Sequence, residues 1–382
     1  MPGMELTLTL HRSIHEIAPA EWDSLAGGNP FVEHGFLSAL EDSGSVGGRT
    51  GWLPQHVALR DGAGGLAGCA PCYAKMHSYG EYVFDHAWAD AYERAGGRYF
   101  PKLQVASPFS PVPGPRLLLR AGMPVGALAQ ALEQTCAALK SSSVHATFCT
   151  EEEWHALGEL GWLLRIGTQF HWHNRGYGCF DDFLGALASR KRKQLKRERR
   201  EVAESGLLCR ALRGAEVTRE HWRHFHRFYL NTVEHRWGGA YLTERFWPLL
   251  GERLGDKVVL MWAERDGQPI AGALNLLGPD ALHGRNWGCA EDVPFLHFEL
   301  CYLQAIEWAI AHNIPRVEAG AQGEHKIQRG YVPVPTHSAH FIAHPGLREA
   351  ISRFLDAERP AMLERMAALA EESPYRRDGE AG

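Results

Sequence analysis

The chain has 382 residues, a length that suggests two domains of ordinary size. An apolar content of 45%, a charged content of 22% and a net charge of −5 indicate a globular protein. They argue against a surface that binds nucleic acid throughout, but they allow a local basic patch. No signal peptide is apparent, and Glu299, Gln304 and Glu307 interrupt the longest apolar helix, so we expect a cytoplasmic protein without a membrane span.

The first half predicts a mixed α/β unit, with a hairpin whose turn is rich in glycine. Its predicted elements are strand 6–10, helices 19–25 and 31–42, hairpin strands 56–60 and 66–73, helix 88–95, strand 102–106, helix 125–140, strand 146–149 and helix 151–160. Asn29 and Pro30 are read as the start of helix 31–42.

The second half repeats this order of hairpin and helix, which indicates a duplicated fold. Its predicted elements are strand 170–174, helices 183–205, 219–236 and 243–254, hairpin strands 258–264 and 270–277, strand 281–287, helix 295–312, strand 316–318 and a tail helix 347–370. The fold class is therefore α/β with a mixed sheet. We place domain limits at 1–165 and 166–345, followed by a helical tail at 346–382.

Eight cysteines are scattered along the chain. Cys69 and Cys72 form a C-x-x-C pair, but no second pair completes a zinc site. Reduced, packed thiols are the expectation, and we predict no metal site.

Residues 317–331 hold two carboxyl groups, an imidazole, two amides and several further polar side chains at the end of a predicted strand. Buried polar groups each need a partner, so this density favours a surface that faces a ligand. The alternative is a well-bonded turn between a strand and a hairpin.

Longer motifs in both halves resemble one family. They are 99–105 (YFPKLQV), 108–109, 113–117 (PGPRL), 170–177 (FHWHNRGY), 189–194 (SRKRKQ), 293–300 (VPFLHFEL) and the polar segment 317–331. The chain resembles the FemAB-like N-acyltransferases of the GNAT superfamily over about residues 6–344. The resemblance implies two tandem GNAT-like domains. It also implies acyl transfer to an amine of a small molecule or peptide, with acyl-coenzyme A or aminoacyl-tRNA as co-substrate and no tightly bound cofactor.

Direct attack of an amine on a thioester or ester requires orientation, a proton acceptor and stabilisation of an oxyanion. A covalent intermediate on Cys289 or Cys301 is not needed. Arg285-x-x-Gly288-x-Ala290 fits the GNAT pyrophosphate-loop pattern, although a strand end is the alternative.

Regular helical spacing separates the candidates in helix 295–312. His297 and Cys301 share one face, while Glu299 and Tyr302 lie on nearly the opposite face. Glu318, at a strand end, is expected to have a raised pKa and to act as base, with His325 as the rival. We assign catalytic roles to Glu318, His325, Tyr331 and His297, and substrate-binding roles to Arg285, Trp287, Glu299, Gln322, Lys326 and Arg329.

Eight of the eleven residues 190–200 are basic. We expect Arg190, Lys191, Arg192 and Lys193 to bind phosphates of the donor, including those of tRNA, although a solvated helix face is the alternative. A different class of function stays open as well, namely a non-catalytic module that recognises a peptide or peptidoglycan.

Overall fold

The computed structural model describes residues 5–234, 239–320 and 323–376. The chain divides into two compact units. The first contains the residues up to Gly167 together with Pro335–Glu364, and the second contains Thr168–Val334 and the chain from Arg365 onward. None of the described helices is long and apolar enough to cross a bilayer.

The secondary structure is a mixture of strands and helices, which confirms the predicted α/β class. The strands are β1 (Leu6–His11), β2 (Trp52–Pro54), β3 (His56–Asp61), β4 (Leu66–Ala70), β5 (Cys72–Lys75), β6 (Lys102–Val105), β7 (Leu118–Leu119), β8 (Ser143–Cys149), β9 (Leu163–His173), β10 (Leu208–Arg213), β11 (Val258–Arg265), β12 (Gln268–Leu277), β13 (Ala281–Cys289), β14 (Arg316–Glu318) and β15 (Val332–Ile342). The α-helices are α1 (Pro19–Asp23), α2 (His34–Asp42), α3 (His86–Arg94), α4 (Val125–Ala138), α5 (Glu151–Glu159), α6 (Phe180–Ala186), α7 (Ser189–Glu204), α8 (Arg219–Glu234), α9 (Phe246–Leu254), α10 (Leu296–Phe298), α11 (Gln304–Ala311) and α12 (Pro345–Glu371).

The first unit pairs β1, β3, β4 and β7 in one antiparallel sheet. A second set of strands follows the order β15-β8-β6-β5-β2. Alternation along β8 sends Val144 and Ala146 into an apolar core with Leu128 and Leu132 of α4. The intervening Ser143 and His145 are buried polar residues.

The second unit follows the strand order β10-β11-β12-β13-β14-β9. Its pairs are antiparallel except for β13 and β14, which run parallel. Trp172 of β9, Met261 of β11 and Ile306 of α11 belong to its fully buried core. This sheet and the helix that precedes β14 provide the frame of the candidate site.

The predicted helix 183–205 is wrong as a single helix. The chain breaks at Leu187, where the backbone is extended and pairs with Tyr375. The N–H of Ala188 donates to the carbonyl oxygen of Pro374 at 2.9 Å. A contact with the distant C-terminal segment therefore interrupts the helix, and α7 begins afresh at Ser189.

Other differences have local causes. The side chain of Asn29 accepts a hydrogen bond from the N–H of Phe31 in a turn, and the helix predicted from residue 31 begins at His34. Pro71 separates β4 from β5, which were predicted as one strand. Strand β15 was not predicted, because Pro333 and Pro335 interrupt its apolar pattern before its pairing with β8 begins at His337.

Candidate active site

A cavity of about 370 Å³ opens in the second unit where β13 and β14 part. The two strands pair only over residues 281–283 and 316–318. β14 then ends, whereas β13 continues to Cys289. Beyond His283 this edge of β13 is therefore not paired with β14, and the cavity lies beside it. The lining consists of Ala273, Leu274, Asn275, Gly284, Arg285, Asn286, Trp287, His297, Cys301, Tyr302, Ala319, Gly323, His325 and Lys326.

A β-bulge shapes one wall of this cavity. Asn275 pairs with Gly284 while Leu274 pairs with Asn286, so Arg285 is the extra residue of β13. A bulge interrupts the strict alternation of side chains along a strand. Consecutive residues from Gly284 to Trp287 therefore line the cavity, which a regular strand would not allow.

A π-helical turn over Glu299–Leu303 shapes the opposite wall. Its wider winding changes which residues share a face, and such turns are frequent at functional sites. His297 and Tyr302 lie edge to face with ring centroids 5.4 Å apart, and both line the cavity. The expectation that Tyr302 faces away from His297 is wrong, because it assumed regular α-helical spacing.

The predicted residues that the cavity brings together are Arg285, Trp287, His297, His325 and Lys326. The Oη of Tyr302 lies 2.9 Å from Nε2 of His325 and forms a hydrogen bond with it. The Nζ of Lys326 donates to the carbonyl oxygen of Gly320 at 2.8 Å. Burial lowers the pKa of Lys326 to about 7.

Cys301 also lines the cavity, next to these groups. Burial raises the pKa of its thiol well above the ordinary value, so the sulfur stays protonated at neutral pH. A protonated thiol is a poor nucleophile.

Glu318 is held in an ion network and is not one of the lining residues. Its carboxylate lies 2.9 Å from Nδ1 of His283 and 2.9 Å from Nε of Arg316. Burial alone would raise the pKa of Glu318, but His283, together with His171 and Arg316, outweighs burial and lowers it well below the usual range. The expected raised pKa is therefore wrong, and this carboxylate is a weak base.

Three further predicted residues lie outside the cavity lining. Glu299 is buried and its Oε1 lies 3.2 Å from Nε of Arg199, while burial raises its pKa. Tyr331 is fully buried in the core, and burial raises its pKa. Arg329 binds Glu198 at 3.0 Å. Gln322 lies outside the described residues.

The residues that match the pyrophosphate-loop pattern form a strand instead of a loop. Arg285 and Gly288 both lie within β13, and the N–H of Ala290 donates to the carbonyl oxygen of Ile270 at 2.7 Å. A Cβ on Gly288 would stand 2.2 Å from the backbone of Phe228. The glycine therefore allows close packing of α8 on the sheet.

The basic patch, defined as Arg190, Lys191, Arg192 and Lys193, occupies the first turn of α7. Arg190 and Lys193 are exposed, and the described residues offer none of the four an ion-pair partner. Later cations of the helix are paired, since Lys196 bonds Asp181 and Arg197 bonds Glu201. The patch therefore keeps its charge available for an anion.

Some residues of the site were missed by sequence reasoning. Tyr302 was placed on the wrong face, and no pattern in a single sequence announces a π-turn. Asn275 lies within the apolar run of β12, so a polar residue in an apolar strand was a usable signal. A larger depression of about 920 Å³ lies in the first unit near Arg12 and Arg49, and none of the predicted site residues lines it.

Solved structures of low sequence identity share this fold. FemX is 11% identical with a TM-score of 0.57, and the match covers 91% of this chain and 100% of FemX. L-PGS from Bacillus licheniformis is 10% identical with a TM-score of 0.54, over 88% of this chain and 97% of L-PGS. No functionally curated protein matches the sequence.

A family model also matches nearly the entire sequence. It spans residues 13–377 and is described as FemAB-like, peptidoglycan biosynthesis/recognition. The match includes both walls of the cavity and the basic patch, and it confirms the resemblance seen in the motifs. The chain belongs to the FemAB-like family.

Proposed function

We propose that the chain is an N-acyltransferase and that its chemistry takes place in the cavity between β13 and β14. The observation that carries this proposal is the hydrogen bond between Tyr302 and His325 beside the buried ammonium of Lys326. Family membership supports an acyl- or aminoacyltransferase in general terms. The acceptor is an amine of a small molecule or peptide.

The proposed reaction is one direct displacement. The acceptor nitrogen attacks the carbonyl carbon of the donor, a C–N bond forms, and the C–O or C–S bond to the carrier breaks. His325 takes the proton lost by the nitrogen, and the hydroxyl of Tyr302 gives its proton to the departing oxygen or sulfur. His325 then returns a proton to Tyr302 through their hydrogen bond, which restores both side chains. Protonated Lys326 stabilises the oxyanion in a site of low dielectric constant.

The basic patch favours a donor that carries several phosphates. Four cations without ion-pair partners among the described residues attract a polyanion, and such binding weakens as salt is added. The residues of the pyrophosphate-loop pattern, which would bind coenzyme A, are engaged in strand pairing and helix packing. Aminoacyl-tRNA is therefore the donor we favour over acyl-coenzyme A.

A pair of matched variants tests this assignment. Arg190→Ala with Lys193→Ala removes two exposed charges from the patch, while Arg197→Ala with Arg200→Ala removes two exposed charges further along α7. We expect the first pair to weaken aminoacyl-tRNA binding about 10-fold and to reduce its salt dependence, and the second to change it little.

Amide formation is followed with aminoacyl-tRNA and acyl-coenzyme A in parallel. Transfer from coenzyme A with equal losses in both variants would contradict the favoured donor. Binding of a donor without transfer from either would contradict the enzymatic proposal and favour a recognition module.

A further inference from the structure

A chain of hydrogen bonds links the helix of the basic patch to the proposed catalytic pair. Nε2 of Gln194 donates to Oε1 of Glu198 at 2.8 Å, and Nη2 of Arg329 donates to Oε2 of Glu198 at 3.0 Å. Nη1 of Arg329 donates to the carbonyl oxygen of His325 at 3.1 Å. His325 in turn bonds Tyr302.

Arg329 is fixed on more than one side. Its guanidinium carbon lies 3.4 Å from the centroid of the Phe298 ring, and the same ring lies 5.7 Å from the ring of His325. Planar stacking and two directed bonds define one orientation of an arginine, which a lysine does not reproduce. The backbone of His325 is therefore held by a side chain that α7 itself orients.

The next residue of α7 holds the other wall of the cavity. Arg199 lies 3.2 Å from Glu299, which begins the π-turn that carries Cys301 and Tyr302. It also forms an ion pair with Glu307 of α11. Neighbouring residues of one helix thus hold the segment of His325 and the segment of Tyr302.

Stability alone does not explain the buried pair of Glu198 and Arg329. Both side chains are buried, at 3% and 6% exposure, and removing two charges from water costs about as much as their attraction returns. Residues 190 and 198 of one helix lie about 12 Å apart along its axis, so the patch and Glu198 belong to one rigid element.

We infer that Glu198 and Arg329 are positioning residues which couple polyanion binding at the basic patch to the orientation of His325. This inference rests on the proposed function. Donor phosphates that settle on the first turn of α7 shift or stiffen the helix. The ion pair passes that change to the backbone of His325, and Arg199 passes it to the turn that carries Tyr302. The hydrogen bond between the two catalytic groups then takes its working geometry when a donor is bound.

The coupling is tested without turnover by NMR. The imidazole signal of His325 is identified by its absence from the spectrum of His325→Gln. It is then followed in the wild type while uncharged tRNA is added. We expect a shift in the wild type that shrinks at least 3-fold in Glu198→Gln and in Arg329→Lys. The control is Glu201→Gln, since Glu201 is an exposed residue of the same helix that pairs with Arg197. An undiminished shift in both test variants would overturn the inference.

Kinetics give a second measurement. In Glu198→Gln we expect kcat at saturating donor to fall about 10-fold while the Kd of tRNA changes less than 2-fold. Gln194→Ala, which removes one hydrogen bond to Glu198, gives a smaller loss of the same kind if Glu198→Gln folds poorly. A wild-type kcat in folded Glu198→Gln contradicts the coupling, whereas absence of turnover in the wild type contradicts the proposed function and leaves the NMR result to judge the coupling.

Discussion

Two lysines of this chain show how burial acts on the same group in different surroundings. Burial lowers the pKa of Lys75 and of Lys326 to about 7. Nζ of Lys75 lies 3.5 Å from the carboxylate of Glu81, whereas no carboxylate lies beside Lys326 among the described residues. A buried ammonium without a counter-ion lowers stability, so the position of Lys326 in the cavity favours a functional reason for its presence.

Replacing Lys326 by methionine should therefore stabilise the protein and slow transfer. The free energy of unfolding at pH 7 should rise by roughly 1–3 kcal/mol, because an unpaired buried ammonium is replaced by an apolar side chain of similar length. The rate should fall on the order of 100-fold, because the oxyanion loses its cation. Thermal unfolding and an amide-formation assay measure the two effects.

The sign of the pH dependence follows from the lowered pKa. The unfolded chain keeps a lysine with the ordinary value of 10.5, so it binds more protons than the folded chain between about pH 7 and 10.5. Wild-type stability should rise across that interval relative to Lys326→Met, while wild-type kcat falls as Lys326 loses its proton above about pH 7. A kcat that instead rises there with Lys326 neutral would make this residue the base and contradict its role as oxyanion cation.

At the scale of secondary-structure elements, the sequence predicted those strands and helices in which apolar residues recur with a regular period. The hairpin of β11 and β12 and the strand β14 were found close to their bounds because alternation and turn glycines mark them. The break at Leu187 was missed because it depends on a contact with a distant part of the chain, and the π-turn was missed because no pattern in a single sequence marks one. The site was predicted only in part, because some of its residues reach the cavity through features that no sequence pattern marks. Arg285 and Trp287 reach the cavity through the β-bulge of β13, which the sequence did not reveal.

Strand β13 provides a test of packing against phosphate binding. Gly288→Ala places a methyl group 2.2 Å from the backbone of Phe228, so α8 must move away from the sheet. We expect a loss of about 2 kcal/mol or more in the free energy of unfolding, measured by urea denaturation. Gly185→Ala in α6 is the matched control, because its methyl group meets nothing within 4 Å and a helix favours alanine by a few tenths of a kcal/mol or more. Normal stability with weakened donor binding in Gly288→Ala would restore the phosphate-loop interpretation.

At the scale of the whole molecule, each unit has its own apolar core and its own buried ion network. Glu318 with His283 and Arg316 occupies the second unit. In the first unit, Lys102 bonds Glu81 at 2.7 Å and also pairs with Asp85, which accepts a hydrogen bond from Tyr99 at 2.7 Å. The groups assigned to chemistry lie in the second unit, so the network of the first unit is expected to act on stability.

Asp85→Asn tests that division of roles. Burial would raise the pKa of Asp85, but Lys102, aided by His145, outweighs burial and lowers it well below its ordinary value of 3.8. The carboxylate therefore stabilises the fold above about pH 4, and the contribution is lost as pH falls through the lower folded value. At pH 7 we expect Asp85→Asn to reduce the free energy of unfolding by roughly 2–4 kcal/mol, because Lys102 keeps Glu81 as its remaining counter-ion. Asp90→Asn, at an exposed position of helix α3, which Asp85 caps, should change it by less than about 0.5 kcal/mol.

The difference between wild type and Asp85→Asn should shrink only in acid, and kcat of the folded variant should stay near that of the wild type at a temperature where both are folded. A large loss of kcat without loss of stability would bring the first unit into the chemistry. Equal losses of stability in Asp85→Asn and Asp90→Asn would show that the buried network does not support the fold. These outcomes separate stability from turnover. One set of denaturation and rate measurements therefore decides whether the buried network of the first unit acts on stability while the chemistry takes place in the second unit.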